Sequence, residues 1–330
     1  MSFQTIPFIY INDCFYHGEA NATVRAAGRI AACRTSFNFV PVSLREEPNT
    51  LAFQLEEVLQ TSQGEKMVIG ANLASRDIIQ HIKSNHLNIE NGLPFVAFWY
   101  MQTLVITTAN PEVIRTIMNL SASGALVDQN NSPVSHIAVL EIADVLNIIP
   151  SHYYYTNSAR IQGKTEEEMK NYIIHTQFRS MYFVPLAADA IMQGDLPLEK
   201  LKNIPLAQLD SEFSSQYSKY WPKKSIHYID NFGNCKTGLR ADDINFVPGS
   251  KYEVSFEDFG TIELTAYSRL TDVPSKQPAL IPGSSGFGYD RNSRRLEFVI
   301  NGEPFASRVF SGMKLVSLEE GARFEIRKID

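Results

Sequence analysis

The sequence predicts two domains: an N-terminal α/β domain with a mainly parallel sheet, and a small all-β C-terminal domain built as a barrel or sandwich. Three observations predict them. The chain has 330 residues, which is long for a single hydrophobic core. Strand-like and helix-like segments alternate in the N-terminal half, and short strand-like runs between Gly-containing turns fill the C-terminal part. A polar, proline-containing stretch separates the two patterns, so we expect domains at 1–195 and 225–330 and a connector at 196–224.

The N-terminal alternation begins with a buried strand at 7–11 and a helix at 20–34. A second strand follows at 37–42, an amphipathic helix at 50–59 and a third strand at 66–70. The segments 94–100 and 103–107 form a predicted hairpin, 132–140 is a further strand, and 181–193 is a helix. Helices of this length between strands imply parallel pairing through right-handed crossovers. Ligands of such sheets bind beyond the carboxyl ends of the strands, so Asp13 and Asn72 are candidate site residues.

Two features lie in the middle of the chain. The run SHYYYTN at 151–157 is a dense tyrosine cluster, which is typical of an interface or a half-exposed sheet face. The GKT at 163–165 resembles the end of a phosphate loop but lacks the earlier glycine, and Thr165 with Glu168 predicts a capping box that opens a helix. The C-terminal strand-like runs are at 252–256, 261–267, 296–300, 314–318 and 324–327.

Composition excludes several classes of function. The net charge is −6 and no stretch concentrates Lys and Arg, which argues against a nucleic-acid partner. The three cysteines are scattered, so neither a disulfide framework nor a paired-cysteine metal site is expected, and metalloprotease and serine-hydrolase motifs are absent from the sequence. The N-terminus does not read as a signal peptide and no run of about 18 apolar residues occurs. We expect a cytoplasmic protein without a metal, a cofactor or a membrane contact.

The stretch IDNFGNCKTGL at 229–239 combines a carboxylate, an aromatic ring and a side-chain amide at the end of a strand-like run. These groups suit a nitrogen heterocycle with an ammonium group. Phe232 can stack, Asn234 can donate and accept one hydrogen bond each, and Asp230 can hold an ammonium. The alternative is a strand-end turn in which the Asp and Asn side chains bond to their own backbone.

Two motifs carry a resemblance to a known family. The first is I-D-x-F-G-N-x-x-T at 229–237, and the second is NSRRLEFVING at 292–302, one residue shorter than the family pattern N-S-(S/R)-G-x-L-E-I-A-V-N-G. Two other segments match the family pattern more weakly: NDCF at 12–15 and GDLPLEKL at 194–201. Over nearly its whole length the chain resembles the S-adenosylmethionine (SAM) hydroxide adenosyltransferase family, which includes the fluorinase and chlorinase.

The resemblance implies a set of ligand contacts with SAM or adenosine. Asp13 would bind the ribose hydroxyls and Asp230 the methionine ammonium. The other implied contacts are Glu19 as a possible second acid, Phe232 and Tyr267 at the adenine faces, Asn234 at its edge, Ser293 and Arg294 at the methionine carboxylate, and the backbone near Gly302. The resemblance also implies a homotrimer whose sites lie between one subunit's N-terminal domain and the next subunit's β-domain.

The implied reaction is an in-line displacement at the ribose C5′, in which water or halide expels methionine. The sequence departs from the family where that chemistry is done. Asn72 stands for an Asp, the loop arginine is displaced to Arg76, and Phe178 and Met181 replace a His and an Asp. Asn cannot act as a base and Phe cannot transfer a proton, so Asn72, Arg76 and Arg179 would have to position the water.

Three hypotheses therefore stand: a SAM hydrolase that forms adenosine and methionine, a protein that binds SAM or adenosine without turnover, and a structural trimer with a vestigial pocket. A halogenase is a weaker fourth, because Arg179 falls near the halide position of the family.

Overall fold

The chain divides into two compact units, Met1–Leu55 with Ser62–Ser215, and Glu56–Thr61 with Gln216–Asp330. The computed structural model describes residues 5–18, 20–43, 48–62, 64–73, 93–110, 113–114, 116–117, 134–154, 163–176, 179–201, 223–257, 260–286, 294–308 and 321–329. Most of the predicted connector, from 202 to 222, and the predicted strand at 314–318 lie outside these residues.

The first unit contains a six-stranded mixed sheet with the strand order β2-β1-β3-β5-β4-β6. Its strands are β1 (Ile6–Asn12), β2 (Phe37–Ser43), β3 (Met67–Asn72), β4 (Phe95–Tyr100), β5 (Thr103–Thr108) and β6 (Val134–Leu140). β1 pairs in parallel with β2 and β3, as the alternating pattern predicts, and β3 also pairs in parallel with β5. β4 pairs antiparallel with β5, which confirms the predicted hairpin, and also with β6.

Helices cover this sheet because its central strands are apolar on both faces. The helices that the described residues form are α1 (Ala20–Ala31), α2 (Pro48–Ser62), α3 (Ile142–Ile148), α4 (Glu166–His175), α5 (Arg179–Gln193) and, in the second unit, the short α6 (Phe305–Arg308). α5 is buried nearly throughout and packs with α1 onto a core that includes Phe8, Tyr10 and Phe183. The Thr165 hydroxyl accepts from the Glu168 backbone N–H and the Glu168 carboxylate accepts from the Thr165 backbone, which confirms the capping box.

The second unit contains a seven-stranded sheet with the order β13-β9-β10-β11-β12-β8-β7. Its strands are β7 (Ile226–Ile229), β8 (Cys235–Arg240), β9 (Lys251–Phe256), β10 (Gly260–Ala266), β11 (Pro278–Gly286), β12 (Arg294–Ile300) and β13 (Phe324–Lys328). Its pairs are antiparallel except β10 with β11. Phe256, Phe298 and Phe324 pack against one another in its core, with ring centroids 5.0 to 5.9 Å apart.

Candidate functional site

Polar residues gather at the carboxyl edge of the first sheet. The strand register places Asn12 of β1 beside Asn72 of β3, and Ala71 beside Thr107, so Asn72 and Thr108 are also level. Asn12 is fully buried, and Asn72 and Thr108 are 7% and 4% exposed. Buried amides and hydroxyls at the ends of adjacent parallel strands form the kind of edge at which α/β sheets bind ligands.

The structure brings Asp13 and Asn72 together at this edge, whereas the sequence places each at a strand end separately. Asp13 follows β1 directly and begins a 3-10 helix, Asp13–Gly18. Its Oδ1 accepts from the Cys14 backbone N–H at 2.9 Å and lies 3.5 Å from the Asn72 side-chain nitrogen. The neighbouring Asn12 Oδ1 also accepts from Cys14 N–H at 2.9 Å. The half-buried carboxylate is thus held at a strand end and can accept further hydrogen bonds there.

Arg179 begins α5 near the same edge. The next residue, Ser180, is buried close to Tyr10, and burial raises the pKa of the Tyr10 hydroxyl. Arg179 is half-buried, and burial lowers the pKa of its guanidinium, while the negative charge of Glu141 acts in the opposite direction. Glu141 directly follows β6, whose last residue Leu140 is level with the start of β4. The edge therefore carries a cation as well as the Asp13 carboxylate.

Four polar residues of this edge are not predicted from the sequence: Asn12, Thr108, Asn110 and Glu141. The Thr108 hydroxyl accepts from the Leu73 backbone N–H at 3.4 Å, and the Thr108 carbonyl accepts from Asn110 N–H at 2.7 Å. The run TTAN at 107–110 is the sequence signal for Thr108 and Asn110, because polar residues end a strand there as they do in NDC at 12–14. This signal places the two residues at the carboxyl edge only when β5 is known to pair in parallel with β3.

The second unit holds the turn of the motif at 229–237, between β7 and β8. Asp230 organises this turn: its Oδ1 accepts from the backbone N–H groups of Phe232 and Asn234 at 2.9 and 3.0 Å. Its Oδ2 accepts from the Asn234 side-chain nitrogen at 3.0 Å. The carboxylate therefore holds its own turn in this structure, and an ammonium ligand would share these oxygens with it.

Phe232 at the tip of the turn is 79% exposed, an unusual position for so large an apolar side chain. Gly233 has a φ of +79°, and its carbonyl accepts from Ala306 N–H at 3.0 Å. A Cβ at Gly233 would lie 2.3 Å from the Pro304 Cβ. The turn is thus packed against the segment that follows Gly302, so the segments 229–237 and 292–302 meet in the second unit.

The positions of the remaining predicted residues say less about a ligand-binding site. Tyr267 packs against a small apolar cluster of Val273, Ala279, Ile281 and Val299, and its backbone N–H donates to Leu280 at 2.9 Å. Arg294 is half-buried at the start of β12, and Gly302 is an exposed turn residue with a φ of +87°. Glu19, Arg76, Phe178 and Ser293 lie outside the described residues.

Among the described residues, no group of three or more His, Cys, Asp and Glu side chains is arranged to hold a metal ion. No helix of the described part is long and apolar enough to cross a membrane.

Comparison with known proteins shows the fold. No protein-family model and no curated protein matches the chain. An uncharacterized conserved protein from Thermotoga maritima is 14% identical, with a TM-score of 0.57 over 97% of this chain and 99% of that chain. A conserved hypothetical protein from Thermus thermophilus is 16% identical, with a TM-score of 0.55 over 98% of this chain and 100% of that chain. The succession of two mixed sheets is therefore shared with known structures, and function must be argued from the site.

Proposed function

We propose that this protein binds the adenosyl group of SAM as a divergent member of the SAM hydroxide adenosyltransferase family. Its architecture would then be the family's α/β domain followed by a barrel-like β-domain. The observation that carries the proposal is the pair Asp13 and Asn72, 3.5 Å apart at the carboxyl ends of two adjacent parallel strands. A carboxylate beside an amide can accept from the two neighbouring ribose hydroxyls and donate to one of them.

The turn of the second unit supports the same ligand. The exposed ring of Phe232 offers a flat apolar surface for adenine. Asn234 donates one amide hydrogen to Asp230, which leaves its second amide hydrogen and its carbonyl oxygen to donate to and accept from the edge of adenine. By the resemblance, these contacts and those of Asp13 come from different subunits of a homotrimer.

SAM hydrolysis is a second candidate function. The half-buried position of Arg179 near the carboxyl edge favours it. In that reaction a water oxygen forms a bond to C5′ while the C5′–S bond breaks. The electron pair goes to sulfur, methionine leaves as a neutral thioether, and the water proton passes to solvent. The leaving group needs no acid, so a half-buried guanidinium and the Asn72 amide have only to hold and orient the water.

Titration of the protein with adenosine and with SAM tests the proposal. We expect saturable binding that Asp13→Asn weakens roughly 5- to 150-fold, the effect of about 1–3 kcal/mol from lost hydrogen bonds. Asp272→Asn removes an equal charge from an exposed ion pair with Arg269 and should bind as the unchanged protein does. A protein that binds neither ligand, or an Asp13→Asn variant with full affinity, contradicts the proposal.

The same samples separate the two functions when they are incubated with SAM and analysed by chromatography with mass detection. Adenosine and methionine in equal amounts, reduced in Arg179→Gln, indicate hydrolysis. Bound SAM that stays intact indicates a binding protein.

A further inference from the structure

The first unit contains a cleft away from the carboxyl edge that is partly open to solvent. It lies between the end of α1, the turn Ser151–Tyr153 and the part of α5 that runs from Tyr182 to Asp189. The loop 32–36 beside it leads into the start of β2, and the Ser36 carbonyl accepts from Ile6 N–H at the start of β1. The cleft is therefore displaced towards the amino ends of the parallel strands, opposite to Asp13.

Arg29 is the first cation of the cleft. Its guanidinium lies 4.2 Å from the centre of the Tyr182 ring, and burial lowers its pKa, although the Tyr182 hydroxyl acts in the opposite direction. Within the described part of the chain, no carboxylate lies within ion-pair distance of Arg29. A partly buried guanidinium that meets an aromatic ring in place of a carboxylate is suited to accept an anion from solution.

Arg34 is the second cation. One of its terminal nitrogens lies 3.2 Å from His152 Nε2 and 3.6 Å from Asp195 Oδ2, and its side chain is 55% exposed. Tyr153 donates its hydroxyl hydrogen to Asp195, so the Asp195 carboxylate interacts with both Tyr153 and Arg34. The His152 and Tyr153 rings pack against each other beside Arg34, with their centroids 4.3 Å apart and their planes tilted by 34°.

The acidic and thiol groups of the cleft are already engaged. Asp189, 2% exposed, accepts from the backbone N–H groups of Arg34 and Thr35 at 2.7 and 2.9 Å and from the Thr35 hydroxyl at 2.7 Å. It therefore fixes the loop that positions Arg34. The Cys33 thiol donates to the Pro185 carbonyl, and burial raises its pKa, which makes it a poor nucleophile.

We propose that this cleft binds a phosphate monoester attached to a flat ring. The phosphate would lie between the guanidinium groups of Arg29 and Arg34, which match its oxygens with paired N–H donors. The ring would lie against Tyr153 and Tyr182, two of the tyrosine side chains that line the cleft. This assigns a ligand-binding role to Tyr153 of the tyrosine cluster at 151–157. The site is independent of the adenosyl site proposed above.

Calorimetric titration with phenyl phosphate tests the assignment. We expect one site per chain, at least tenfold tighter for phenyl phosphate than for inorganic phosphate. Arg29→Gln should lower the affinity at least tenfold. Arg327→Gln, which removes one positive charge from an exposed position on β13, should leave the affinity unchanged. Asp13→Asn should also bind normally, because the cleft does not include the carboxyl edge.

Several outcomes overturn the proposal. Absence of saturable binding by the unchanged protein excludes the site, and equal affinity for inorganic phosphate and phenyl phosphate excludes the ring contact. Full affinity in Arg29→Gln excludes the role of that guanidinium. If Arg29→Gln does not fold, the more exposed Arg34→Gln provides the same comparison, and full affinity there also contradicts the proposal.

Discussion

Lys236→Met is expected to destabilise the second unit strongly. Lys236 Nζ lies 2.7 Å from Glu297 Oε1, and the two side chains are only 8% and 7% exposed. Methionine keeps most of the aliphatic stem and removes the ammonium, which leaves the Glu297 carboxylate buried with the Ser284 N–H at 3.3 Å. Removing one partner of a buried ion pair costs about 3–5 kcal/mol, since the other charge stays without compensation. Glu57, in the same unit, lies 3.9 Å from Lys236 and adds a smaller attraction.

Lys251→Met is the matched control, because it makes the same change in another strand of the same sheet. Lys251 Nζ lies 2.5 Å from Glu263, but the two side chains are 53% and 51% exposed. An exposed pair contributes about 0.2–1 kcal/mol. Urea unfolding followed by circular dichroism, with linear extrapolation to water, measures both losses. Equal losses in the two variants would refute the reasoning, and Lys236→Met with Glu297→Gln should recover much of the loss because no buried charge remains.

The pH dependence gives an independent check on the same ion pair. Burial acts to lower the pKa of Lys236, but the charge and the hydrogen bond of Glu297 outweigh it, and the pKa lies above its ordinary value. A lysine whose pKa is raised by folding contributes stability that is fully present below the unfolded pKa of about 10.4. The contribution is lost as the pH rises through the higher, folded pKa. The difference between the unchanged protein and Lys236→Met should therefore be constant from neutral pH up to that range and shrink above it.

Two further predictions concern Gly233 and Cys33. Gly233→Ala should destabilise the second unit by more than about 2 kcal/mol in urea unfolding, since a left-handed backbone costs roughly 1–2 kcal/mol and the new Cβ would meet Pro304 at 2.3 Å. Gly249→Ala also has a positive φ but meets no atom within 4 Å, so an equal loss there would show that the Pro304 contact is unimportant. Cys33 should react with iodoacetamide at pH 8 far more slowly in the native protein than in urea, because burial raises its pKa. Mass mapping of the alkylated peptides measures this, and native labelling as fast as that of a free thiol would be inconsistent with the buried position.

The features that the sequence predicts well are those with local signals. The β4–β5 hairpin follows from two apolar runs separated by a short turn, and the capping box follows from the Thr165 and Glu168 spacing. Parallel pairing of β1 with β2 and β3 follows from the helical patterns between these strands. The predicted helix at 20–34 ends earlier, at Ala31, because the following loop is held by Asp189 from a distant helix, which no local pattern contains.

The features that the sequence misses depend on pairing across the sheet. β11 was not predicted, since Pro282 and its glycines oppose a regular strand, and the register with β12 indeed shifts between Pro282 and Gly286. The sequence places Asp13 and Asn72 at strand ends separately. It does not show that β3 and β5 bring Thr108 level with Asn72 to complete a polar edge.

The geometry of the β7–β8 turn changes how its residues can be tested. Asn234 is the residue expected at the edge of adenine, but its side-chain amide donates to Asp230. Asn234→Ala would therefore loosen the turn as well as remove a ligand contact. Phe232 contributes no core packing at 79% exposure, so its replacement can alter binding without altering folding. Asp230 holds three hydrogen bonds of its own turn, and any affinity it lends to an ammonium is reduced by the competition for those oxygens. The adenine contact is therefore better supported by this turn than the ammonium contact, and adenosine should retain a larger share of the affinity of SAM than the family pattern alone implies.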